Sequence, residues 1–88
     1  MADPTKILLA YLGANVRRGR ERQGLTQEEL AELADIDVRY VQRIERGTVN
    51  LRFASFVKLA TALKVAPGLL LRRAPLQAPR VGRPPKKK

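Results

Sequence analysis

The side chains that carry out most enzyme chemistry are scarce in this sequence. It has no histidine, no cysteine and one serine, Ser55, with no base to activate it. Glu28, Glu29 and Glu32 form a carboxylate cluster, but they fall at a predicted helix start, where acids favourably meet unpaired N–H groups. No glycine-rich phosphate loop or metal-ligand spacing occurs. We therefore expect no enzyme activity, no catalytic residue, no metal ion and no cofactor.

Lysine and arginine are abundant and unevenly distributed. The 88 residues carry 18 Lys and Arg against 8 Asp and Glu, a net charge of +10. Residues 1–45 hold seven bases and all eight acids (net −1), whereas residues 46–88 hold eleven bases and no acid. This imbalance indicates a polyanionic partner, nucleic acid or anionic lipid. No apolar run reaches the roughly 20 residues that span a bilayer, so we expect no membrane partner.

Apolar residues recur at helical spacing along most of the chain, which predicts an all-α fold. Helix starts are marked by Asp3 before Pro4, by the capping-box pair Thr26 and Glu29, and by Asp37. Residues 74–88 lack a periodic apolar face and are expected to be a disordered basic tail. The predicted helices of the domain, residues 4–73, span residues 4–23, 26–34, 37–46, 53–64 and 67–72.

The second and third predicted helices are short and joined by a three- to four-residue turn, which is a helix-turn-helix. Leu30, Leu33 and Ala34 are predicted to face inward from the second helix, and Val41 and Ile44 from the third. Arginine suits guanine edges and glutamine suits adenine edges through paired hydrogen bonds. The exposed faces of the third helix then carry the candidate base contacts Val38, Arg39, Gln42 and Arg43.

Residues 12–71 resemble the Cro/phage-repressor-like helix-turn-helix family, also called the XRE family. The resemblance is carried by LTQEELAELADIDVRYVQRIERG, residues 25–47, and by FVKLATALKV, residues 56–65. It implies a compact five-helix, lambda-repressor-like domain whose third helix, residues 38–46, lies in the major groove of double-stranded DNA. By position in the motif, Val38, Arg39 and Arg43 are similar to the family's base readers, with Val38 offering apolar contact to a thymine methyl group.

The resemblance also implies contacts to DNA phosphate and one structural ion pair. Gln27 is similar to the family's phosphate-binding glutamine, at a helix start that also presents N–H groups. Arg46 and Asn50, on the following loop, are similar to further backbone contacts. Arg20 and Glu45 occupy positions that form a buried salt bridge in relatives.

Two positions depart from the family pattern, and one tyrosine is ambiguous. Asp35 stands at a turn position often held by glycine, and Arg52 stands where serine often caps the fourth helix. A cation at a helix N-terminus is unfavourable, so we expect Arg52 to contact a DNA phosphate. Tyr40 is consistent with stacking, with a phosphate contact or with packing under the first helix.

These observations predict a sequence-specific DNA-binding transcriptional regulator, cytoplasmic and associated with the nucleoid. No small-molecule ligand is evident. A homodimer is expected, at least on DNA, with residues 7–12 or 69–71 as candidate surfaces that equally suit the core. A restriction–modification controller or an antitoxin would both fit. The alternatives are an architectural DNA-binding protein and an adaptor that binds a protein through the same scaffold.

The last nine residues, RVGRPPKKK, resemble an AT-hook, a minor-groove binder built around an Arg-Gly-Arg-Pro core. Val81 departs from that core by separating Arg80 from Gly82. Minor-groove reading of A·T-rich DNA and non-specific phosphate binding remain open, with a nuclear address as a remote third reading. The expected tail contacts are Arg80, Gly82, Arg83, Lys86, Lys87 and Lys88.

Overall fold

The computed structural model describes residues 3–76, which fold into four α-helices and a short 3-10 helix, with no strand in that range. The all-helical prediction is confirmed, but the predicted fifth helix is a 3-10 turn. The segment has five residues, too few for a run of α-helical hydrogen bonds, and Gly68 lowers its helix propensity further. The elements are α1 (Pro4–Arg22), α2 (Gln27–Ala34), α3 (Val38–Arg46), α4 (Phe53–Leu63) and the 3-10 helix (Pro67–Leu71).

The caps at α2 and α3 hold the helix-turn-helix in place. The Glu29 N–H donates to Thr26 Oγ1 at 3.0 Å, and the Thr26 N–H donates to Glu29 Oε1 at 2.8 Å. Asp37 caps α3, because its Oδ1 accepts the Arg39 N–H at 2.7 Å. Between the two helices Asp35 adopts a left-handed conformation with φ 57°. The turn therefore reverses the chain with a non-glycine residue in a region that usually favours glycine.

All four α-helices and the 3-10 helix contribute to one core. The α1·α3, α2·α3 and α2·α4 interfaces meet at this core, so α3 is fixed from two sides while its outer face stays exposed. Burying these apolar side chains supplies most of the stabilisation available to a domain this small. The buried core residues are Leu12, Val16, Leu30, Ala31, Ala34, Val41, Ile44, Leu59, Ala60, Leu63 and Leu70.

Leu33 and Phe53 are the most exposed of the large apolar side chains in residues 3–76. The prediction that Leu33 is buried is wrong, because its exposed fraction is 60%. Successive helical residues are about 100° apart, so Leu30, Ala31 and Ala34 share one arc and Leu33 falls beyond it. Phe53 is 76% exposed and contacts the ring of Phe56, with centroids 5.8 Å apart.

The candidate dimer surfaces divide between core and exterior. Leu12 and Leu70 are buried, and Leu9 packs partly against the core. Ile7, Leu8, Leu69 and Leu71 are each about two-fifths exposed.

Within residues 3–76, no helix combines the length and apolar character that would be needed to cross a bilayer.

Candidate nucleic-acid interface

The outer face of α3 carries the four predicted base-contact residues in two different environments. Arg39 and Arg43 are exposed, and the Arg39 side chain is 81% accessible to solvent. Val38 and Gln42 are half-buried, and Val38 packs against the core. The two arginine side chains therefore project into solvent from α3, whereas Val38 and Gln42 are partly covered by the rest of the protein.

The first of these arginines lies close to an acid. Arg39 Nε is 3.8 Å from Asp37 Oδ1, the atom that caps α3. Both side chains are largely exposed, so the ion pair is weak and can be exchanged for another acceptor. Arg43 has no ion-pair partner among residues 3–76, which leaves its guanidinium available for a ligand.

Glu45 ties α1 and α2 to α3. Its Oε2 accepts Arg20 Nε at 2.6 Å, and its Oε1 accepts Arg20 Nη2 at 3.0 Å. Arg20 also donates from Nη1 to the Leu25 carbonyl at 2.9 Å. The Glu45 side chain is only 5% exposed. Hydrogen bonding to this carboxylate raises the pKa of Arg20 above its usual range, despite the opposing effect of burial.

Gln27, the predicted phosphate contact, is positioned by the same carboxylate. Its Nε2 donates to Glu45 Oε1 at 3.1 Å, which fixes the amide at the start of α2. An amide nitrogen has two N–H donors, so one remains. The first backbone N–H groups of a helix have no intrahelical acceptor, and those of Gln27 and Glu28 point out of the start of α2. These donors together suit an oxyanion.

An open cleft of about 610 Å³ lies between α1, α2 and α3 at this point. Its walls carry arginine guanidinium groups and glutamine amides, and its one acid, Glu45, is already hydrogen-bonded. The cleft therefore presents donors and positive charge next to the exposed face of α3. It is lined by Arg17, Arg20, Thr26, Gln27, Gln42, Glu45 and Arg46.

The loop after α3 places the remaining predicted phosphate contacts. Gly47 ends α3 with φ 73°, and an added Cβ there would lie 3.1 Å from Ala10 Cα. Asn50 and Arg52 follow in exposed positions. Arg52 precedes α4, and no side chain among residues 3–76 caps that helix. The donors at the start of α4 and the Arg52 guanidinium therefore lie on one exposed loop.

Tyr40 connects α3 to this loop through a contact that the sequence did not predict. Its hydroxyl oxygen accepts the Arg52 N–H at 3.1 Å, and its ring packs, partly buried, against the core. The bond fixes the backbone of Arg52 relative to α3. A serine cap would accept an N–H group two or three residues further into α4, so the missing cap did not signal this contact.

Gly13 is the other residue whose role sequence reasoning missed. It lies in α1 against α3, where an added Cβ would overlap the Ile44 carbonyl oxygen and lie 2.9 Å from that of Glu45. The glycine therefore allows α1 to approach α3 closely enough for Arg20 to reach Glu45.

The predicted tail contacts Arg80, Gly82, Arg83, Lys86, Lys87 and Lys88 lie outside the described residues.

Comparison with known proteins shows that the chain is similar to helix-turn-helix proteins and to regulators of transcription. A family model described as HTH_3, helix-turn-helix, matches residues 16–70. A "Neisseria hypothetical transcription factor" from Neisseria meningitidis serogroup B is 41% identical over 64 residues, 73% of this chain and 60% of that protein. The match thus spans less than two thirds of that relative's length. "Control protein C.SmaI" from Serratia marcescens is 35% identical over 66 residues, 75% of this chain and 79% of that protein.

A solved structure shows the same fold. The restriction-modification controller protein C.AhdI from Aeromonas hydrophila superposes with a TM-score of 0.68 at 42% identity, covering 70% of this chain and 94% of that one. Its coverage indicates that nearly the whole of that chain corresponds to the helical domain described above. The chain belongs to the HTH_3 helix-turn-helix family, in agreement with the XRE-family resemblance of its sequence.

Proposed function

We propose that this protein is a sequence-specific DNA-binding transcriptional regulator that inserts α3 into the major groove. The observation that carries the proposal is the α2–α3 unit itself: exposed Arg39 and Arg43 lie beside an α2 start whose donors suit a phosphate. Arg43 and Arg39 would read guanine edges, Gln42 an adenine edge, and Val38 a thymine methyl group.

Phosphate contacts would fix the register of α3. Gln27 would bind one phosphate with its remaining amide N–H and its backbone N–H, since Glu45 holds the amide in place. Arg46 would bind at the rim of the adjoining cleft. Asn50 and Arg52 would bind on the loop before α4, where Tyr40 fixes the Arg52 backbone.

The protein would act as a homodimer on two half-sites about one helical turn apart, ~34–36 Å. The exposed apolar side chains Ile7, Leu8, Leu69 and Leu71 are candidates for the contact between protomers. It would act in the cytoplasm, on the nucleoid. Within the predicted basic tail, residues 74–88, the part from residue 77 onward would add minor-groove or phosphate contacts through Arg80, Arg83 and the three terminal lysines.

Within the regulators, we favour a controller of a restriction–modification system. Support comes from the likeness to the controller C.AhdI over 94% of that chain and to the control protein C.SmaI over 79% of that protein. An antitoxin would share the domain, and the neighbouring genes distinguish the two. Adjacent restriction endonuclease and methyltransferase genes are expected, whereas an adjacent toxin gene would contradict the controller assignment.

Selection of bound sites from a random duplex pool tests the DNA-binding proposal. The full chain is expected to return one enriched sequence with two-fold symmetry, at a specificity ratio of at least ~10³ over random DNA. A ratio near one would instead support an architectural protein. Repeating the selection without residues 77–88 isolates the tail: lost A·T-rich flanks indicate minor-groove reading, and weaker binding without a changed sequence indicates phosphate binding.

A further inference from the structure

A second basic cleft, which we call the arginine cleft, lies between α1, the end of α4 and the 3-10 helix. It encloses about 290 Å³. Arg18 and Arg22 project from α1, one helical turn apart, and Arg72 and Arg73 face them from the segment after the 3-10 helix. Four arginines therefore line one concave surface.

Positive charge in the arginine cleft is uncompensated. No acid lines it, and within residues 3–76 none of its four arginines forms an ion pair. The neighbouring acid Glu21 pairs with Arg17 instead, at 3.1 Å. Like charges close together repel, so a bound anion would lower the free energy of this surface.

The side-chain amide of Asn15 joins the two walls of the arginine cleft. Asn15 Nδ2 donates to the carbonyl oxygens of Leu70 and Arg72, at 3.0 and 2.7 Å. These bonds fasten the 3-10 helix and the residue after it to α1. The two halves of the arginine cleft thus keep their spacing without a ligand, which lowers the entropy cost of binding one.

The arginine cleft lies on the far side of α1 from the recognition helix. Gly13 and Arg20 face α3, through the Ile44 carbonyl and Glu45. Asn15 comes two residues after Gly13, and Arg22 two residues after Arg20. At 3.6 residues per turn, each therefore points about 160° away from its counterpart around the axis of α1. The phosphates that α3 contacts therefore cannot also reach the arginine cleft. Any phosphate bound there comes from another part of that duplex or from a different duplex.

We propose that the arginine cleft is a second phosphate-binding site for the DNA backbone, separate from the α2–α3 interface. Arginine binds phosphate with two parallel hydrogen bonds, and four arginines suit consecutive phosphates of one strand. Repeating negative charge fits better than an isolated anion, because the chain continues from Arg73 into residues 77–88, which hold five bases and no acid. The phosphates come either from the flanks of the duplex held by α3 or from a second duplex.

Paired variants of the full chain test this site. Arg18→Gln/Arg22→Gln and Arg72→Gln/Arg73→Gln each remove two charges from opposite walls. Lys6→Gln/Lys58→Gln removes two charges from exposed positions outside the arginine cleft and serves as the matched control. Thermal unfolding by circular dichroism checks that every variant is folded, and two independent cleft variants protect the result if one is not.

Three DNA probes separate the possible sources of the phosphates, and a fourth probe tests for an acidic protein ligand. The first is the salt dependence of binding to a random duplex of about two helical turns, and the second uses one of about six turns. The third is capture of a labelled free duplex by protein already bound to an immobilised one. Poly-glutamate serves as an acidic polypeptide probe.

Both cleft variants are expected to lower the salt slope by roughly 0.9 per lost phosphate contact, beyond the change in the control. A loss confined to the six-turn duplex assigns the phosphates to the flanks of one duplex, and a loss of capture assigns them to a second duplex. The proposal is overturned if the cleft variants match the control with every DNA probe, or if they lose only poly-glutamate binding. Neither result would affect the α3 proposal, which rests on the selected sequence.

Discussion

Gly13 of α1 lies against the backbone of Ile44 in α3, with no room for a side chain between them. An added Cβ would overlap the Ile44 carbonyl oxygen and lie 2.9 Å from that of Glu45. Both neighbours are backbone atoms of α3, so neither can move without shifting that helix. The spacing of α1 and α3, and with it the position of every side chain on α3, depends on this glycine.

Gly13→Ala is therefore expected to destabilise the protein by about 1–3 kcal/mol, the usual cost of overpacking. Gly19→Ala is the control within the same helix, because its Cβ would meet only the Leu63 side chain, at 3.4 Å. That change should be neutral or stabilise by up to about 1 kcal/mol through helix propensity. Urea unfolding measures both, and equal effects would mean that Gly13 does not set the spacing.

Glu45→Gln is expected to destabilise the fold by about 3 kcal/mol, because it leaves the charge of Arg20 without its partner in a largely buried site. The bond to Glu45 raises the pKa of Arg20. A base whose pKa is raised on folding stabilises the folded state fully at pH values below its unfolded pKa, and this stabilisation is lost only as the pH rises through its folded pKa. The arginine thus stays charged through neutral and mildly alkaline pH, where the loss should be constant.

The control for Glu45→Gln is Glu21→Gln, which breaks the exposed ion pair with Arg17. Such pairs contribute roughly 0.3–0.5 kcal/mol, so its effect on urea unfolding should be several-fold smaller. A cost for Glu45→Gln as small as that of Glu21→Gln would show that the ion pair adds little to the attachment of α3.

Arg43→Ala and Gln27→Ala should weaken DNA binding in different ways. Losing an arginine that binds a guanine edge costs about 1–3 kcal/mol and relaxes selectivity at one base pair. Losing the neutral Gln27 amide weakens binding to all sequences but leaves the salt slope nearly unchanged, because that slope counts phosphates neutralised by Lys or Arg. Titrations with the selected duplex and its single-base variants measure both. If Arg43→Ala lost affinity uniformly across those duplexes, Arg43 would be a phosphate contact.

Arg52→Ser is expected to raise stability and weaken DNA binding at once. Serine would cap α4, which lacks a side-chain cap in residues 3–76, and a cap contributes about 1 kcal/mol. Loss of the guanidinium should lower the salt slope by roughly 0.9. Arg52→Ala separates the effects, since it should lower the slope without adding the cap. An unchanged slope in both variants would remove Arg52 from the DNA interface.

The helices and caps could be predicted from the sequence because their signals are local. Thr26, Glu29 and Asp37 lie within three residues of the N–H groups that they accept, and their bonds form as expected. The contacts that join one element to another are not local. Tyr40 meets Arg52 across 12 residues and Asn15 meets Leu70 across 55. Residue type alone does not say which distant backbone groups will need a donor or an acceptor.

The side chains of α3 show the same limit. The apolar period correctly placed Val41 and Ile44 inside, which left the arginines outside. The prediction was wrong in α2, where Ala31 rather than Leu33 lies inside, because the buried arc of that helix runs through Leu30, Ala34 and Ala31 and leaves Leu33 outside it. Which arc of a helix is buried depends on how the neighbouring helices pack, so the positions of the apolar residues alone do not determine it.

Asp35→Gly is expected to stabilise the fold by about 0.5–1 kcal/mol. Asp35 has φ 57°, and a left-handed conformation costs a residue with a Cβ roughly 1–2 kcal/mol, part of which glycine's greater freedom in the unfolded chain offsets. Asp35→Ala removes the same charge but keeps the Cβ, so it should not stabilise. Urea unfolding distinguishes the two. Equal stabilisation by both would assign the effect to the lost charge beside Glu32, and stabilisation by neither would mean that the turn holds no backbone strain.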